Sequence, residues 1–231
     1  MSRLIPYLLA FLLSACATAH HPDVPSAPVA AGATVETISS TVTLSLHSSA
    51  RNLSGRGVMV YRRPDQLRLV MLSPFGTTVM EAQVMGDRLT LCYPTSGVAY
   101  QGRINELPAS ASGQRGLALL RWVLESDPPS GAPRDGEIEH ATSRGTMERI
   151  SMRDGQVVEK DLPSGERVRY RNRTVLAGVQ IPLELQMENA DGARIRLTLE
   201  DPEVNTPLED KVFSIPLQGM RVLPLSELKA P

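Results

Sequence analysis

The chain has 231 residues, with 24 Lys and Arg against 25 Asp and Glu, and only two cysteines. A formal net charge of −1 argues against nucleic acid as a partner, which calls for a clear basic excess. Two cysteines exclude a disulfide framework, so the fold must rest on a hydrophobic core. The first element is an apolar run that begins at Leu4, after the lone early charge Arg3, and closes on Leu13-Ser14-Ala15-Cys16. A positive start, an apolar centre of about ten residues and small residues before a cut mark a secretory signal; a spanning helix needs about 20 residues.

Leu13-Ser14-Ala15-Cys16 resembles a bacterial lipobox, which implies a signal over 1–15 and a lipid on Cys16 as the first mature residue. Ala17 follows, as in lipoproteins sorted to the outer membrane, leaving the domain lipid-anchored and facing the periplasm. The other reading is an ordinary signal cut elsewhere, with Cys16 incidental. If Cys16 is acylated, Cys92 has no partner within the molecule.

Residues 16–35 read as a tether, with Pro22, Pro25 and Pro28 among small residues. Its eighteen residues from Ala17 to Thr34 span about 25 Å as a coil and up to about 55 Å when extended. His20-His21 lacks the further ligands of a closed metal site.

Residues 36–231 read as one domain with mostly period-two patterning. Leu67, Leu69 and Met71 share a face, as do Leu89, Leu91 and Tyr93, then Leu183, Leu185 and Met187, then Ile195, Leu197 and Leu199. Asn189-Ala190-Asp191-Gly192 is a hairpin signal between the last two runs, and Glu184, Gln186, Glu188, Arg194, Arg196 and Thr198 form the opposite, wet face. Alternation of this kind predicts an antiparallel sheet. Further strands are predicted near 41–48, 55–63, 78–85, 146–153, 156–160 and 166–173. A mainly β sheet of about eleven strands must curl or close.

One helix is predicted over 113–125, before Asp127-Pro128-Pro129. Leu117, Leu119, Leu120, Trp122, Val123 and Leu124 cover most of its circumference, leaving Arg121 and Glu125 on a narrow wet strip. Such a helix must lie in or across the hollow of the sheet, either as a plug or as a lid.

Three stretches in chain order, Ser54-Gly55-Arg56-Gly57-Val58, Arg63-Pro64-Asp65-Gln66-Leu67-Arg68-Leu69 and Leu72-Ser73-Pro74-Phe75-Gly76-Thr77, resemble the LolB branch of the LolA/LolB lipoprotein carriers. Leu119-Leu120-Arg121-Trp122-Val123-Leu124 is similar to that family's helix, and Ile181-Pro182-Leu183-Glu184-Leu185 with Arg194-Ile195-Arg196-Leu197 to its late hairpin. The resemblance implies a half-open antiparallel barrel with a helical lid, whose apolar hollow takes acylated lipoproteins or other lipid from a periplasmic LolA-like carrier. Met59, Leu69, Met71, Leu117, Leu120, Trp122, Leu124 and Met187 are its candidate lining. Methionine suits a cavity for variable acyl chains and equally suits the filling of core gaps.

Pro74 and Gly76 force a turn with Phe75 at its tip. The position matches an exposed leucine that the family uses to engage the membrane, so the Pro74, Phe75 and Gly76 turn is the expected insertion loop, unless Phe75 folds back onto the core. Arg167, Arg169, Arg171 and Arg173 alternate along one strand. They read as a docking face for an acidic carrier or headgroups, or as cross-strand partners of Glu184 and Glu188.

There is no nucleophile elbow, phosphate loop, paired-cysteine metal motif or dinucleotide fingerprint, so neither an enzyme nor a cofactor is expected. Scattered acids such as Glu148 and Glu159 are expected to face solvent. The tail 204–216 looks more like the ending of the soluble carriers. An envelope sensor or a structural lipoprotein using the same barrel is therefore the alternative to a transfer protein.

Overall fold

A computed structural model describes residues 33–47, 52–108, 111–142, 145–190 and 192–228, without the side chains of Leu53 and residues 112–115. The expected signal, Cys16 and nearly all of the tether lie outside the described residues. The apolar core takes in the last tether residue, since Val35 is buried.

Among the described residues the chain builds one sheet of 13 strands. Its strands are β1 (Thr37–His47), β2 (Asn52–Arg62), β3 (Gln66–Leu72), β4 (Thr78–Met85), β5 (Arg88–Tyr93), β6 (Val98–Arg103), β7 (Gly136–Ala141), β8 (Met147–Arg153), β9 (Gln156–Asp161), β10 (Arg167–Leu176), β11 (Val179–Glu188), β12 (Arg194–Val204) and β13 (Arg221–Pro224), with the helix α1 (Ser112–Leu124) between β6 and β7. The order is β13-β6-β5-β4-β3-β2-β1-β12-β11-β10-β9-β8-β7, so the sheet stays open, with β7 and β13 as its edges. Every pairing is antiparallel except that of β13 with β6. This curved, open sheet is consistent with the half-open barrel that the family resemblance implied, with two strands more than the eleven expected.

Period-two sequence becomes one dry face and one wet face. In β3, Leu67, Leu69 and Met71 are buried and their neighbours half-buried. The β11–β12 hairpin turns where expected: the Asn189 N–H donates to the Ala193 carbonyl at 2.8 Å, and Gly192 N–H donates to Asn189 at 2.9 Å. The inner faces of both halves of the sheet and the inner side of α1 form one core cluster. After β12 the chain runs back over the outer face, where Arg68 donates to the Val212 carbonyl at 3.0 Å and the buried Phe213 ring lies 4.7 Å beneath the Arg62 guanidinium.

Three strands escaped the pattern. β6 (VAYQGR) and β7 (GEIEHA) are short and weakly apolar, and β13 (RVLP) has four residues closed by proline. Backbone pairing to a neighbour makes them strands, not side-chain periodicity.

Candidate functional site

The turn 73–77 is a compact hydrogen-bonded unit. Gly76 N–H donates to the Ser73 carbonyl at 2.9 Å, Ser73 N–H to the Thr77 carbonyl at 2.8 Å, and the Ser73 hydroxyl accepts from the N–H groups of Phe75 and Thr77 at 3.2 Å each. Pro74 presets the first bend, and Gly76 at φ 80° takes the left-handed conformation that closes it. The side chain at the tip does not fold back onto the core. Phe75 is 93% exposed, the most exposed of the large apolar side chains among the described residues.

The register places this turn on a defined rim. Leu72 pairs with Arg56, His47 with Asn52 and Arg194, Glu188 with Arg194 and Arg167, and Arg167 with Asp161. The β3–β4 turn, the β11–β12 hairpin and the β9–β10 turn therefore sit at one end of the sheet, with Thr37 and Val35 at the other.

The eight candidate lining residues come together. Met59, Leu69, Met71, Leu117, Leu120, Trp122, Leu124 and Met187 are each at most 8% exposed and belong to the same cluster. They meet because α1 fills the hollow. The space among Val35, Ile38, Leu124, Ser126, Ile181, Pro182, Leu185 and Leu199 is a crevice of about 10 Å³, at the lower limit for one water molecule. Near its N-terminal end α1 approaches the sheet so closely that a Cβ on Gly116 would lie 2.2 Å from the Ile195 Cδ1 and 3.0 Å from the Met187 Cε. In this conformation α1 is the plug of the two sequence alternatives.

The wet strip expected on α1 is corrected. Arg121 is buried, while Leu119 is only half-buried. The two lie about 200° apart on the helical wheel, so an almost wholly apolar circumference does not reveal which side is outermost.

The C-terminal end of α1 is held by a polar cluster that includes Glu148, which the sequence reading placed in solvent. Glu148 is buried, whereas Glu159 is half-buried on the opposite face of the sheet, so the two acids form no pair. Glu148 accepts from the Trp122 indole N–H at 2.6 Å and lies 3.1 Å from the buried Lys160 ammonium. Lys160 also donates to the carbonyls of Trp122 at 3.2 Å and Glu125 at 3.0 Å, and the Tyr170 hydroxyl donates to the Val123 carbonyl at 2.8 Å. These carbonyls are among those a helix end leaves unpaired. Burial lowers the Lys160 pKa from its usual 10.5, against the pull of Glu148, and raises that of Tyr170 well above 10.0. Asp127 just beyond is bridged by Arg63, yet burial still lifts its pKa above 3.8. No apolar pattern signals such a cluster; a lone Lys amid period-two sequence looks like any wet-face residue.

The arginine file also differs from expectation. Arg167 lies opposite Glu188 and Arg171 opposite Glu184 as the pattern implied, but the close ion pairs run to β9: Arg167 to Asp161 and Arg169 to Glu159, each at 2.5 Å. Arg173 leaves the file to donate to the Val157 carbonyl, with its guanidinium 5.7 Å from the Tyr170 ring.

The family model described as outer membrane lipoprotein LolB matches residues 37–201, from β1 into β12. The chain belongs to the LolB family. The match leaves the strap over the outer face and β13 beyond its end. No curated protein matches the chain. Among solved structures, a DUF1329 family protein from Desulfovibrio piger is similar at a TM-score of 0.52 and 10% identity, over 78% of this chain and 90% of that one. A LolA superfamily protein from Nitrosomonas europaea is similar at 0.51 and 15% identity over the same shares. At such identities these likenesses concern the fold, and the fold they share with this LolB-family chain is the open, curved sheet.

Proposed function

We propose that the chain accepts acylated lipoproteins, or other lipid, in the apolar interior between the sheet and α1 and delivers them to the outer membrane. Residues 1–15 are its signal, the lipid on Cys16 its anchor, and a periplasmic LolA-like carrier its donor. The observation that carries this reading is Phe75, a large apolar side chain held out at the rim by a turn whose hydrogen bonds are complete without it. Burying it requires something outside the molecule, and a bilayer does so. Membership of the LolB family supports the same reading.

Acyl chains enter as α1 yields its place, trading contacts with Leu117, Leu120 and Leu124 for contacts with cargo. No nucleotide is needed: each methylene kept from water is worth about 0.8 kcal/mol, so cargo needs a continuous apolar path between carrier, interior and bilayer. The test is transfer of a labelled lipoprotein from its carrier through this protein into vesicles. Phe75→Glu is expected to accept cargo normally and to deliver it poorly; normal delivery removes Phe75 from the mechanism.

The packed interior favours a second reading, a sensor or structural lipoprotein that keeps α1 in place. Failure to accept any acylated cargo decides for it.

A further inference from the structure

On the outer face, at the end of the sheet that carries Phe75, the register aligns two rows of polar side chains. Ser45, Arg196, Gln186 and Arg169 form one, and His47, Arg194, Glu188 and Arg167 form the next. Their strand neighbours Met187, Ile195 and Val168 are buried, so strand alternation turns both rows outward. Together they line a trough of about 480 Å³. The lining holds four guanidiniums and an imidazole against the single carboxylate of Glu188.

Acids in and beside the trough engage these arginines unequally. Asp161 and Glu159 hold Arg167 and Arg169 at 2.5 Å, whereas Arg196 is 3.3 Å from Glu184 and Arg194 is 3.8 Å from Glu188, with side chains 59% and 74% exposed. Exposed pairs of this kind are worth about 0–1 kcal/mol. A phosphate, which guanidinium can grip through two parallel hydrogen bonds, displaces such partners at little cost.

We propose that this trough binds the phosphate of anionic lipid headgroups, and that it does so at the surface of the bilayer that Phe75 enters. The inference rests on the membrane reading of Phe75 and adds the headgroup class recognised beside it. Two observations favour a lipid over an acidic protein segment. The trough lies two to five strands round the rim from β3, which leads into the Phe75 turn, roughly 10–25 Å at strand spacing, where an inserted Phe75 brings headgroups. Its volume is also that of a small-molecule site. An apolar tip flanked by arginines is the polarity of a surface that sits in an anionic interface.

The test uses the full lipidated chain in vesicles of phosphatidylcholine, alone or with about one third phosphatidylglycerol. In a Cys92→Ser background a nitroxide is placed at Ala190→Cys, in the hairpin beside the trough, or at Val79→Cys, next to the Phe75 turn. Accessibility to a water-soluble relaxation agent is read at each. With phosphatidylglycerol the Ala190 label is expected to become shielded and to reopen in about 1 M salt, where screening is within about 3 Å. Arg194→Gln with Arg196→Gln should weaken that contact about thirtyfold, at about 1 kcal/mol per arginine near an anionic surface, while Arg194→Lys with Arg196→Lys, which keeps the charge but loses the two-point grip on phosphate, should fall between the two. If the Val79 label is shielded and the Ala190 label ignores anionic lipid, the trough proposal fails and the Phe75 reading stands. If neither label is shielded, both fail. If an acidic carrier protein shields Ala190 where anionic lipid does not, the trough is a protein-docking site and the proposal is overturned.

Discussion

The Phe75 turn and the floor under the C-terminal end of α1 break the usual distribution of polarity in opposite directions. One exposes a large apolar side chain; the other buries a lysine and a glutamate. The buried pair is accounted for within the molecule, because Lys160 and Glu148 satisfy each other, the Trp122 indole and two carbonyls at the end of the helix. Phe75 has no such account. Its turn is hydrogen-bonded without its side chain, which is 93% exposed. A rule broken with internal compensation belongs to the fold, and a rule broken without it points to a partner.

Breaking the buried cluster should have the largest effect. Lys160→Met leaves Glu148 buried without its cation and removes the donors to the Trp122 and Glu125 carbonyls, at a cost of about 3–5 kcal/mol, read as a loss of denaturation midpoint. An unchanged midpoint would mean that the cluster does not hold the helix. Gly116→Val should cost about 1–3 kcal/mol by overpacking against Ile195 and Met187. In the delivery assay it should also loosen α1 and ease cargo entry.

The pH dependence sharpens the same point. Burial lowers the Lys160 pKa in the folded protein below 10.5. Between the lowered value and 10.5 the unfolded chain binds more protons, so stability from this residue increases as pH rises through that window and is lost as pH falls. One proton limits the slope to at most about 1.4 kcal/mol per pH unit. Subtracting the profile of Lys160→Met from that of the native chain should reveal this slope; parallel profiles would remove Lys160 as its source.

The smallest effect on stability is expected where the effect on function is greatest. Phe75→Glu should change unfolding free energy by no more than about 0.5 kcal/mol, as for a surface substitution without internal contacts. A loss of several kcal/mol would show that Phe75 serves the fold, and the contrast between the two regions would collapse.

Much of this contrast is legible in the sequence. Leu67, Leu69 and Met71 on one face, the Asn189 to Gly192 hairpin and the apolar wheel of α1 all declare their surroundings locally. Pro74 and Gly76 likewise declare a turn around Phe75. The strands β6, β7 and β13 were not legible, because short segments with weak alternation become strands only when a neighbour offers its edge. Nor were Arg121, Glu148 and Lys160, whose charges look wet until partners from distant strands and helix carbonyls surround them.

The sequence by itself determined the class of fold, the family, the helix and the tip of the rim, because alternation, helical period and turn chemistry act over a few residues. Tertiary structure alone decided that α1 fills the hollow, that a buried ion pair holds its end, and that Phe75 shares a rim with a trough of arginines. Those outcomes depend on the register between strands far apart in the chain, where low dielectric and close packing decide which polar groups find partners.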